Sequence, residues 1–287
     1  MATILNGKAT AAGLQAALKP RAQALTARGA IPTLAVLRLG ESDADESYLR
    51  RIARVCEAVG VVLRCEQLPA SAAQADAETL LRQWNAEPAI HGILLLRPVP
   101  AGFDEAALCR LVSPQKDVDG MSPASAAALY LGQQGFSPCT AAACMALLME
   151  YGIPLQGRRA VVVGRSAVVG RPLAMLLLAQ NATVTVCHSK SEALPALCRE
   201  ADILIAAAGR QGLITADFIK PGATVLDVGI HCDADGRLRG DVDFDAAAPL
   251  AGAITPVPGG VGAVTATILA AHTVEAAARA EKNRALD

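Results

Sequence analysis

Short apolar, strand-like runs alternate with amphipathic helical segments through this 287-residue chain, and this alternation constrains the fold more than any other feature. Thr33–Leu39 is a β-rich run, and residues 44–59 after it repeat apolar positions at helical spacing. Val61–Glu66 and Gly92–Leu96 are predicted strands on either side of an amphipathic helix over Ala75–Asn85. Strand, helix, strand order predicts parallel sheets covered by helices.

A second α/β block begins near Ser137. Its predicted helices are Thr140–Tyr151, Arg171–Ala179 and Thr265–Arg279, and its predicted strands are Ala160–Val163, Thr183–Val186, Ile203–Ala206 and Thr224–Asp227. A strand, a glycine loop, a helix and a second strand make the mononucleotide-binding unit of a doubly wound fold. We therefore predict an α/β protein of two lobes, with a ligand cleft between them and the final helix packed back on the first block.

The composition excludes several classes of protein. The chain is 53% hydrophobic and 18% charged, and its 26 Lys+Arg against 27 Asp+Glu give a net charge of −1. It is therefore not a disordered chain, and it has no electrostatic case for binding nucleic acid or an anionic membrane. The uncharged stretch 246–271 is long enough to span a bilayer, but its prolines and glycines predict a buried loop followed by a helix.

The N-terminal sequence and the pattern of cysteines both predict a cytoplasmic protein. The first ten residues have no apolar core or cleavage site of a secretory signal. The eight cysteines are scattered, without CxxC or a Cys/His cluster at metal-ligand spacing. We expect reduced thiols, no bound metal and a cytoplasmic protein. The four histidines form no catalytic pattern, and none is assigned a catalytic role.

The segment Gly164–Gly170 directly follows the predicted strand 160–163 and opens a helix. Glycine allows close approach of a phosphate, and a helix N-terminus offers free N–H groups to an anion. The spacing departs from G-x-G-x-x-G, so the segment is either a phosphate loop or an ordinary glycine-rich turn. Arg165, with the Cys-His-Ser-Lys run at 187–190, favours the 2′-phosphate of NADP, because NAD enzymes often carry an acid there.

Three other features are ambiguous when taken alone. Asp117 and Asp119 of Lys-Asp-Val-Asp-Gly could ligate a metal, accept hydrogen bonds from a planar donor pair, or simply form a turn. The Pro/Gly-rich segment 255–262 either brings backbone groups to a ligand or turns a corner. Tyr48, one of three tyrosines, is either a functional residue or a partly buried surface side chain.

Taken together, these segments resemble the bifunctional methylenetetrahydrofolate dehydrogenase/methenyltetrahydrofolate cyclohydrolase family. The likeness runs over nearly the whole chain. It rests on the Tyr48 helix, the strand with Pro-x-Pro over 92–100, KDVDG at 116–120, Pro138-Cys139-Thr140, VVGRSxxVGRP at 162–172, ATVTVCHSK at 182–190, DVGI at 227–230, GDVDF at 240–244 and TPVPGGVG at 255–262.

The resemblance implies a folate-binding catalytic domain over 1–137, completed by a C-terminal helix over 263–287, and a Rossmann-type NADP-binding domain over 138–262. It also implies a tetrahydrofolate one-carbon derivative as substrate and a homodimer. Tyr48 would stack against or orient the folate, and Asp119 would hydrogen-bond the amidine-like edge of the pterin. The residues implied for NADP are Thr140, Gly164, Arg165, Ser166, Ser189 and Ile230, and those lining the folate cleft are Pro258, Gly259 and Gly260.

The departures from the family pattern lie at the reacting centre. A lysine usually stands four residues after the tyrosine, and here that position is Ile52. The glutamine that accompanies that lysine is replaced by Leu96, and the leucine after it by Arg97. Smaller changes replace prolines by Ala141 and Ala263. Loss of both members of a polar pair is physically coherent, because a lone buried lysine or glutamine would be left unsatisfied.

These residues predict an NADP-dependent methylenetetrahydrofolate dehydrogenase whose cyclohydrolase activity is weak or absent. Hydride transfer needs mainly positioning, whereas ring opening needs proton transfers that Ile52 cannot make and that an arginine makes poorly. Two alternatives stay open. One is a related dehydrogenase in methyl-group catabolism, and the other is a catalytically silent protein that binds folate or NADP.

Overall fold

The computed structural model describes residues 1–284, which form a mixed α/β structure. Its strands are β1 (Thr3–Ile4), β2 (Thr33–Leu39), β3 (Val62–Leu68), β4 (Gly92–Leu95), β5 (Arg159–Val163), β6 (Thr183–Cys187), β7 (Ile203–Ala206), β8 (Thr224–Asp227), β9 (His231–Cys232), β10 (Leu238–Arg239) and β11 (Ala253–Ile254). Its helices are α1 (Gly7–Ala27), α2 (Asp43–Val59), α3 (Gln74–Ala86), α4 (Glu105–Leu111), α5 (Pro123–Tyr130), α6 (Cys139–Glu150), α7 (Gly170–Ala179), α8 (Leu194–Cys198), α9 (Phe244–Ala247) and α10 (Thr265–Arg284).

The chain divides into two compact units, which confirms the predicted α/β class with two lobes. We call residues 12–139 together with the chain from 266 onward the Tyr48 unit, and residues 1–11 with 140–265 the Gly164 unit. The first eleven residues were expected in the first domain, but they belong to the Gly164 unit because β1 pairs with β11, Thr3 opposite Ala253. Of the predicted C-terminal extension over 263–287, residues 285–287 lie outside the described part of the chain.

The Tyr48 unit contains a three-stranded parallel sheet in the order β3-β2-β4. One face of this sheet packs on α3 and α4. The buried side chains of that cluster are Ala35, Leu37, Leu39, Ala77, Leu81, Trp84, Ile90, Ile93, Leu95, Leu108, Cys109 and Val112. Because side chains alternate along a strand, Arg38 and Leu96 lie on the opposite face.

Helix α2 covers that opposite face. Arg38 is nearly buried and donates to Glu46 Oε2 at 3.0 Å and to the carbonyl of Ser42 at 3.1 Å, so it holds the start of α2 against β2. Ser42 caps α2 by accepting from the backbone N–H of Asp45, and Gly60 ends the helix at a φ of +83°. The sequence therefore places the helix that carries Tyr48 directly on the sheet.

The Gly164 unit contains a six-stranded sheet in the order β1-β11-β8-β7-β5-β6, and its strand pairs are parallel. The order reverses at β5, which has β6 on one side and β7 on the other. Ligands of open α/β sheets bind outside the carboxyl ends of the strands at such a switch point. The segment 164–169 leaves β5 at this place.

Most predicted elements are found within a few residues of their expected ends, and strands β7 and β8 match residue for residue. Helices α1, α4 and α5 were not predicted. The uncharged stretch 246–271 was expected to be a buried loop followed by a helix. It is divided between α9, β11, a 3-10 turn and α10, so the helix was predicted but α9 and β11 were not. Over residues 1–284, no helix has both the length and the apolar character needed to cross a bilayer.

The turn between α4 and α5 is built around the carboxylate of Asp117. This side chain is fully buried and accepts from the backbone N–H groups of Met121 at 2.9 Å and Ser122 at 2.8 Å, and from the hydroxyl of Ser125 at 2.6 Å. Asp117 is therefore the structural member of the carboxylate pair, and it fixes the backbone that carries Asp119.

We expect Asp117→Ala to lower the free energy of unfolding by about 3 kcal/mol or more, because it leaves buried donors unsatisfied. Urea unfolding followed by circular dichroism measures the loss. The matched control is Asp104→Ala, which removes the exposed N-cap of α4 and is expected to cost about 1 kcal/mol. Equal losses for the two variants would contradict the structural role of Asp117.

Candidate functional site

Tyr48 lies in α2 and keeps its phenolic proton. Burial raises the pKa of its hydroxyl, and the nearby Cys139 thiol and Asp119 carboxylate raise that pKa further, while Arg51 opposes them. The side chain is not completely enclosed, so it remains available to a ligand. Tyr48 is therefore a neutral aromatic ring with a hydroxyl donor, next to an acid.

Asp119 is held between a backbone amide and a guanidinium. Its Oδ1 accepts from the backbone N–H of Cys139, and its Oδ2 accepts from Nη2 of Arg97, both at 3.4 Å. Burial raises the pKa of Asp119, and the charge of Arg97 opposes that rise. Both hydrogen bonds are long, so each oxygen retains a lone pair for an incoming N–H donor. Tyr48, Asp119 and Arg97 form what we call the Asp119 site.

The two aliphatic residues at the family's polar positions are both buried. Ile52 is one helical turn after Tyr48, on the same side of α2, and is fully buried. Leu96 continues the β4 ladder, since its backbone N–H donates to the carbonyl of Leu37 at 3.0 Å, and its side chain is 4% exposed. Neither side chain can hold or move a proton.

His272 of α10 was assigned no catalytic role, and the structure gives it a packing contact. Its Nδ1 donates to the carbonyl of Val118 at 2.8 Å, and its ring stacks at a tilt against Phe136. Burial lowers the pKa of His272, which favours the neutral ring. The segment before Asp119 is thus tied to α10. A Cβ on Gly92 would lie 2.9 Å from Val118 and 3.0 Å from Thr273, so β4 also packs closely there.

In the Gly164 unit, the loop after β5 is shaped by close backbone approach. Gly164 has a φ of +131°, and a Cβ on it would overlap the carbonyl oxygen of Ala207. A Cβ on Gly170 would likewise overlap the carbonyl of Gly164, so the first turn of α7 is pressed against the loop. Ser166 Oγ accepts from the backbone N–H of Val169 at 3.1 Å. Only glycine fits at both ends of this loop.

A cavity of about 390 Å³ opens beside this loop. It is lined by Val163, Gly164, Arg165, Ser166, His188, Ser189, Ser191, Leu194, Ala207, Ala208, Arg210 and Leu213. The structure thus brings together four of the predicted cofactor residues. Thr140 and Ile230 are not among the lining residues, and Ile230 is 60% exposed.

The predicted folate-lining residues Pro258, Gly259 and Gly260 also lie in the Gly164 unit. There the carbonyl of Gly259 accepts from the backbone N–H of Gly7 at 2.8 Å, so this segment packs on the first turn of α1. A Cβ on Gly7 would overlap the carbonyl of Gly260, which explains the glycine at the start of α1.

One wall of the cavity is held by a carboxylate that the sequence did not single out. Asp241 is fully buried, and its oxygens accept from the backbone N–H groups of Ala208 at 2.6 Å, Gly209 at 2.9 Å and Arg210 at 2.9 Å. Nε2 of His231 lies 2.8 Å from Oδ1. The only signal for this role was the position of Asp241 inside the GDVDF motif.

Over residues 1–284, no group of three or more His, Cys, Asp or Glu side chains could hold a metal ion. The Asp119 site offers a carboxyl group and a phenol, and the Gly164 cavity offers a glycine loop, a helix N-terminus, hydroxyls and cations.

Two family models match this chain. The catalytic domain of tetrahydrofolate dehydrogenase/cyclohydrolase matches residues 5–119, and the NAD(P)-binding domain of the same family matches residues 138–281. The second match contains the Gly164 loop and its cavity, and it confirms the expectation of a nicotinamide dinucleotide cofactor.

Individual relatives match at nearly full length. The bifunctional protein FolD of Moorella thermoacetica is 50% identical over 97% of this chain and 99% of its own. The crystal structure of FolD from Campylobacter jejuni is 38% identical with a TM-score of 0.95, covering 97% of this chain and 99% of that one. The Trypanosoma brucei enzyme, complexed with NADP and an inhibitor, is 36% identical with a TM-score of 0.91, covering 97% and 98%. The resemblance seen in the motifs is therefore confirmed, and the chain belongs to the tetrahydrofolate dehydrogenase/cyclohydrolase family.

Proposed function

We propose that this protein oxidises 5,10-methylenetetrahydrofolate to 5,10-methenyltetrahydrofolate with NADP, and that its cyclohydrolase activity is weak or absent. The observation that carries this proposal is the burial of Ile52 and Leu96 at the lysine and glutamine positions, in a chain that retains Tyr48 and Asp119. The Tyr48 unit would bind the folate, the Gly164 unit would bind the cofactor, and two copies would form a homodimer.

The folate roles follow from the chemistry of the Asp119 site. An ionised Asp119 accepts hydrogen bonds from the N–H groups on the amidine-like edge of a pterin. Tyr48 presents a ring face for stacking and a hydroxyl that stays protonated. Together these residues would orient the reacting carbon, and the lone pair of the adjacent folate nitrogen drives loss of the hydride. Pro258, Gly259 and Gly260 are proposed as lining residues on the family resemblance.

The Gly164 cavity fits a dinucleotide carrying a 2′-phosphate. When bound, NADP supplies the hydride acceptor. Gly164 and Ser166 would hold the diphosphate at the N-terminus of α7, while Arg165 and Ser189 would bind the 2′-phosphate. None of the cavity's lining residues in the described chain is acidic, whereas NAD enzymes often place an acid there. Thr140 and Ile230 are proposed as cofactor contacts on the resemblance alone.

Hydrolysis of the methenyl product makes demands that this site does not meet. Water must add to the cation, and protons must then move between oxygen and nitrogen. Ile52 has no proton to transfer, and Leu96 has no group to orient a water. The neighbouring Arg97 stays protonated and is a poor acid or base. Dehydrogenation lacks this requirement, so the two activities are expected to separate.

The first prediction concerns the two reactions. We expect the purified protein to reduce NADP with methylenetetrahydrofolate, and to hydrolyse methenyltetrahydrofolate no faster than buffer does. Absorbance assays of both steps measure this. Hydrolysis well above the spontaneous rate would contradict the loss of cyclohydrolase. Binding of both ligands without any NADP reduction would favour the silent binding protein instead.

Restoring the lysine and glutamine tests whether their replacement causes the loss of cyclohydrolase activity. We expect Ile52→Lys with Leu96→Gln to gain hydrolysis above the spontaneous rate. Ile52→Lys alone should gain less and lose stability, because a buried ammonium would lack its partner. Leu96→Gln alone is the matched control and should gain no hydrolysis. Thermal unfolding of each variant separates a missing activity from a missing fold.

Cofactor choice gives a further prediction. We expect Arg165→Ala to raise the KM for NADP roughly tenfold or more, because a charge-assisted hydrogen bond to phosphate is lost, with little effect on the KM for NAD. The control is Arg158→Ala, an exposed arginine just before β5 that does not line the cavity. An equal rise in KM for NADP and for NAD would show that Arg165 does not bind the 2′-phosphate.

A further inference from the structure

We propose that Arg97 is a positioning residue for the folate site. Its guanidinium holds the Asp119 carboxylate as an oriented anion that faces the amidine-like edge of the pterin. This inference rests on the proposed function. It assigns a purpose to a residue at which the family pattern has leucine, and it links that residue to the loss of lysine at position 52.

The geometry places the guanidinium between two carboxylates. Nη2 of Arg97 is 3.4 Å from Oδ2 of Asp119, and Nη1 is 3.7 Å from Oε1 of Glu105 on α4. The Arg97 and Asp119 side chains are 20% and 18% exposed, whereas Glu105 is 39% exposed. Water solvates Glu105 better, so Asp119 depends more strongly on the cation.

The other groups around Asp119 do not replace this cation. Asp117 precedes it in the same loop, and Cys139 of α6 and Tyr48 of α2 face it, all neutral or negative. Arg51 of α2 acts on Tyr48. Burial raises the pKa of Asp119, and Arg97 opposes that rise. Without Arg97, the described donors left to the carboxylate are the backbone N–H and the thiol of Cys139, and neither carries a positive charge.

The protonation state of Asp119 decides how well it binds an amidine edge. The ionised carboxylate accepts from two adjacent N–H groups, whereas the protonated acid turns an O–H toward those donors and loses an acceptor. Folate affinity therefore falls as the pH drops through the pKa of Asp119. Because Arg97 lowers this pKa, removing it moves the loss of affinity to higher pH.

Arginine at this position fits a dehydrogenase that does not hydrolyse. A lysine near the reacting carbon serves both as a positive charge and as a proton carrier. The Ile52 and Arg97 departures separate these two properties, because a guanidinium supplies charge but does not exchange its proton at usable pH. The site keeps a cation for binding the substrate and loses the acid needed for ring opening.

The test is calorimetric titration of the full-length protein with tetrahydrofolate over a series of pH values. We expect Arg97→Leu to weaken binding roughly tenfold near neutral pH and to move the acid limb of the affinity profile to higher pH, because Arg97 no longer lowers the pKa of Asp119. Arg97→Lys should recover most of the affinity, because a cation is restored. In the dehydrogenase assay, KM for folate should rise while kcat changes little.

The matched control is Arg110→Leu, which removes an exposed arginine of α4 that pairs with Asp104 at 3.9 Å. It should leave the affinity and its pH profile unchanged. Circular dichroism verifies the fold of each variant, and NADP affinity should be the same in all of them. If Arg97→Leu does not fold, Arg97→Lys is compared with the wild type instead. The inference would be overturned if Arg97→Lys differs from the wild type both in tetrahydrofolate affinity and in the pH dependence of that affinity.

A folded Arg97→Leu variant with wild-type affinity and pH profile would also overturn the inference and leave the proposed function intact. A wild-type protein that binds tetrahydrofolate but never reduces NADP would overturn the proposed activity, while the binding profile would still test Arg97. The two failures are therefore distinguishable.

Discussion

Buried carboxylates that accept backbone N–H groups hold the loops of both candidate sites. Asp117 anchors the turn that carries Asp119, and Asp241 gathers three consecutive N–H groups at the wall of the Gly164 cavity. Asp227 adds a second layer, because its oxygens accept from the backbone of Asp241 at 2.9 Å and Val242 at 3.0 Å. A carboxylate can satisfy several donors at once, so one buried side chain orders a whole loop.

This arrangement explains how adjacent acids in one motif take different roles. The oxygens of Asp117 accept hydrogen bonds from donors of its own turn, and these donors stabilise its charge inside the protein. Asp119, two residues later, has only long contacts with Arg97 and Cys139, and keeps acceptor capacity for a ligand. Saturation of hydrogen bonding, together with complete burial, marks Asp117 as the structural acid, whereas Asp119 is partly exposed and keeps free acceptor capacity.

Elements with continuous apolar runs could be predicted from the sequence, and those that depend on distant partners could not. Strands β7 and β8 are short, fully buried runs, and their bounds match the prediction. Strand β1 has two residues and exists because β11 pairs with it, so local pattern gave no reason to group the N-terminus with the Gly164 unit. Helix α1 was not predicted because it contains Pro20, a residue that is unfavourable inside a helix.

The candidate sites likewise contain residues that could be predicted from the sequence and residues that could not. The glycine loop was visible as a motif, because part of its constraint is local: Gly164 has a φ of +131°, and a Cβ on Gly170 would overlap the carbonyl of Gly164. The role of Asp241 was not, because it depends on N–H groups more than 30 residues away in sequence. Arg97 was visible only as a departure from the family, and its two carboxylate neighbours appeared with the fold.

The substitutions at positions 52, 96 and 97 are best understood as one change in the electrostatics of a buried site. A buried ammonium needs an acceptor and a nearby negative charge, so replacing its partner by leucine would leave it unstable. Aliphatic side chains at both positions avoid that conflict, but under the proposed function the folate site then lacks the positive charge of the usual lysine. Under our proposal, Arg97 would supply that charge from a partly exposed position, where a guanidinium is less costly to hold because water still reaches one side. Under the proposed function, the same three residues would keep the condition for binding a pterin and remove the condition for moving a proton.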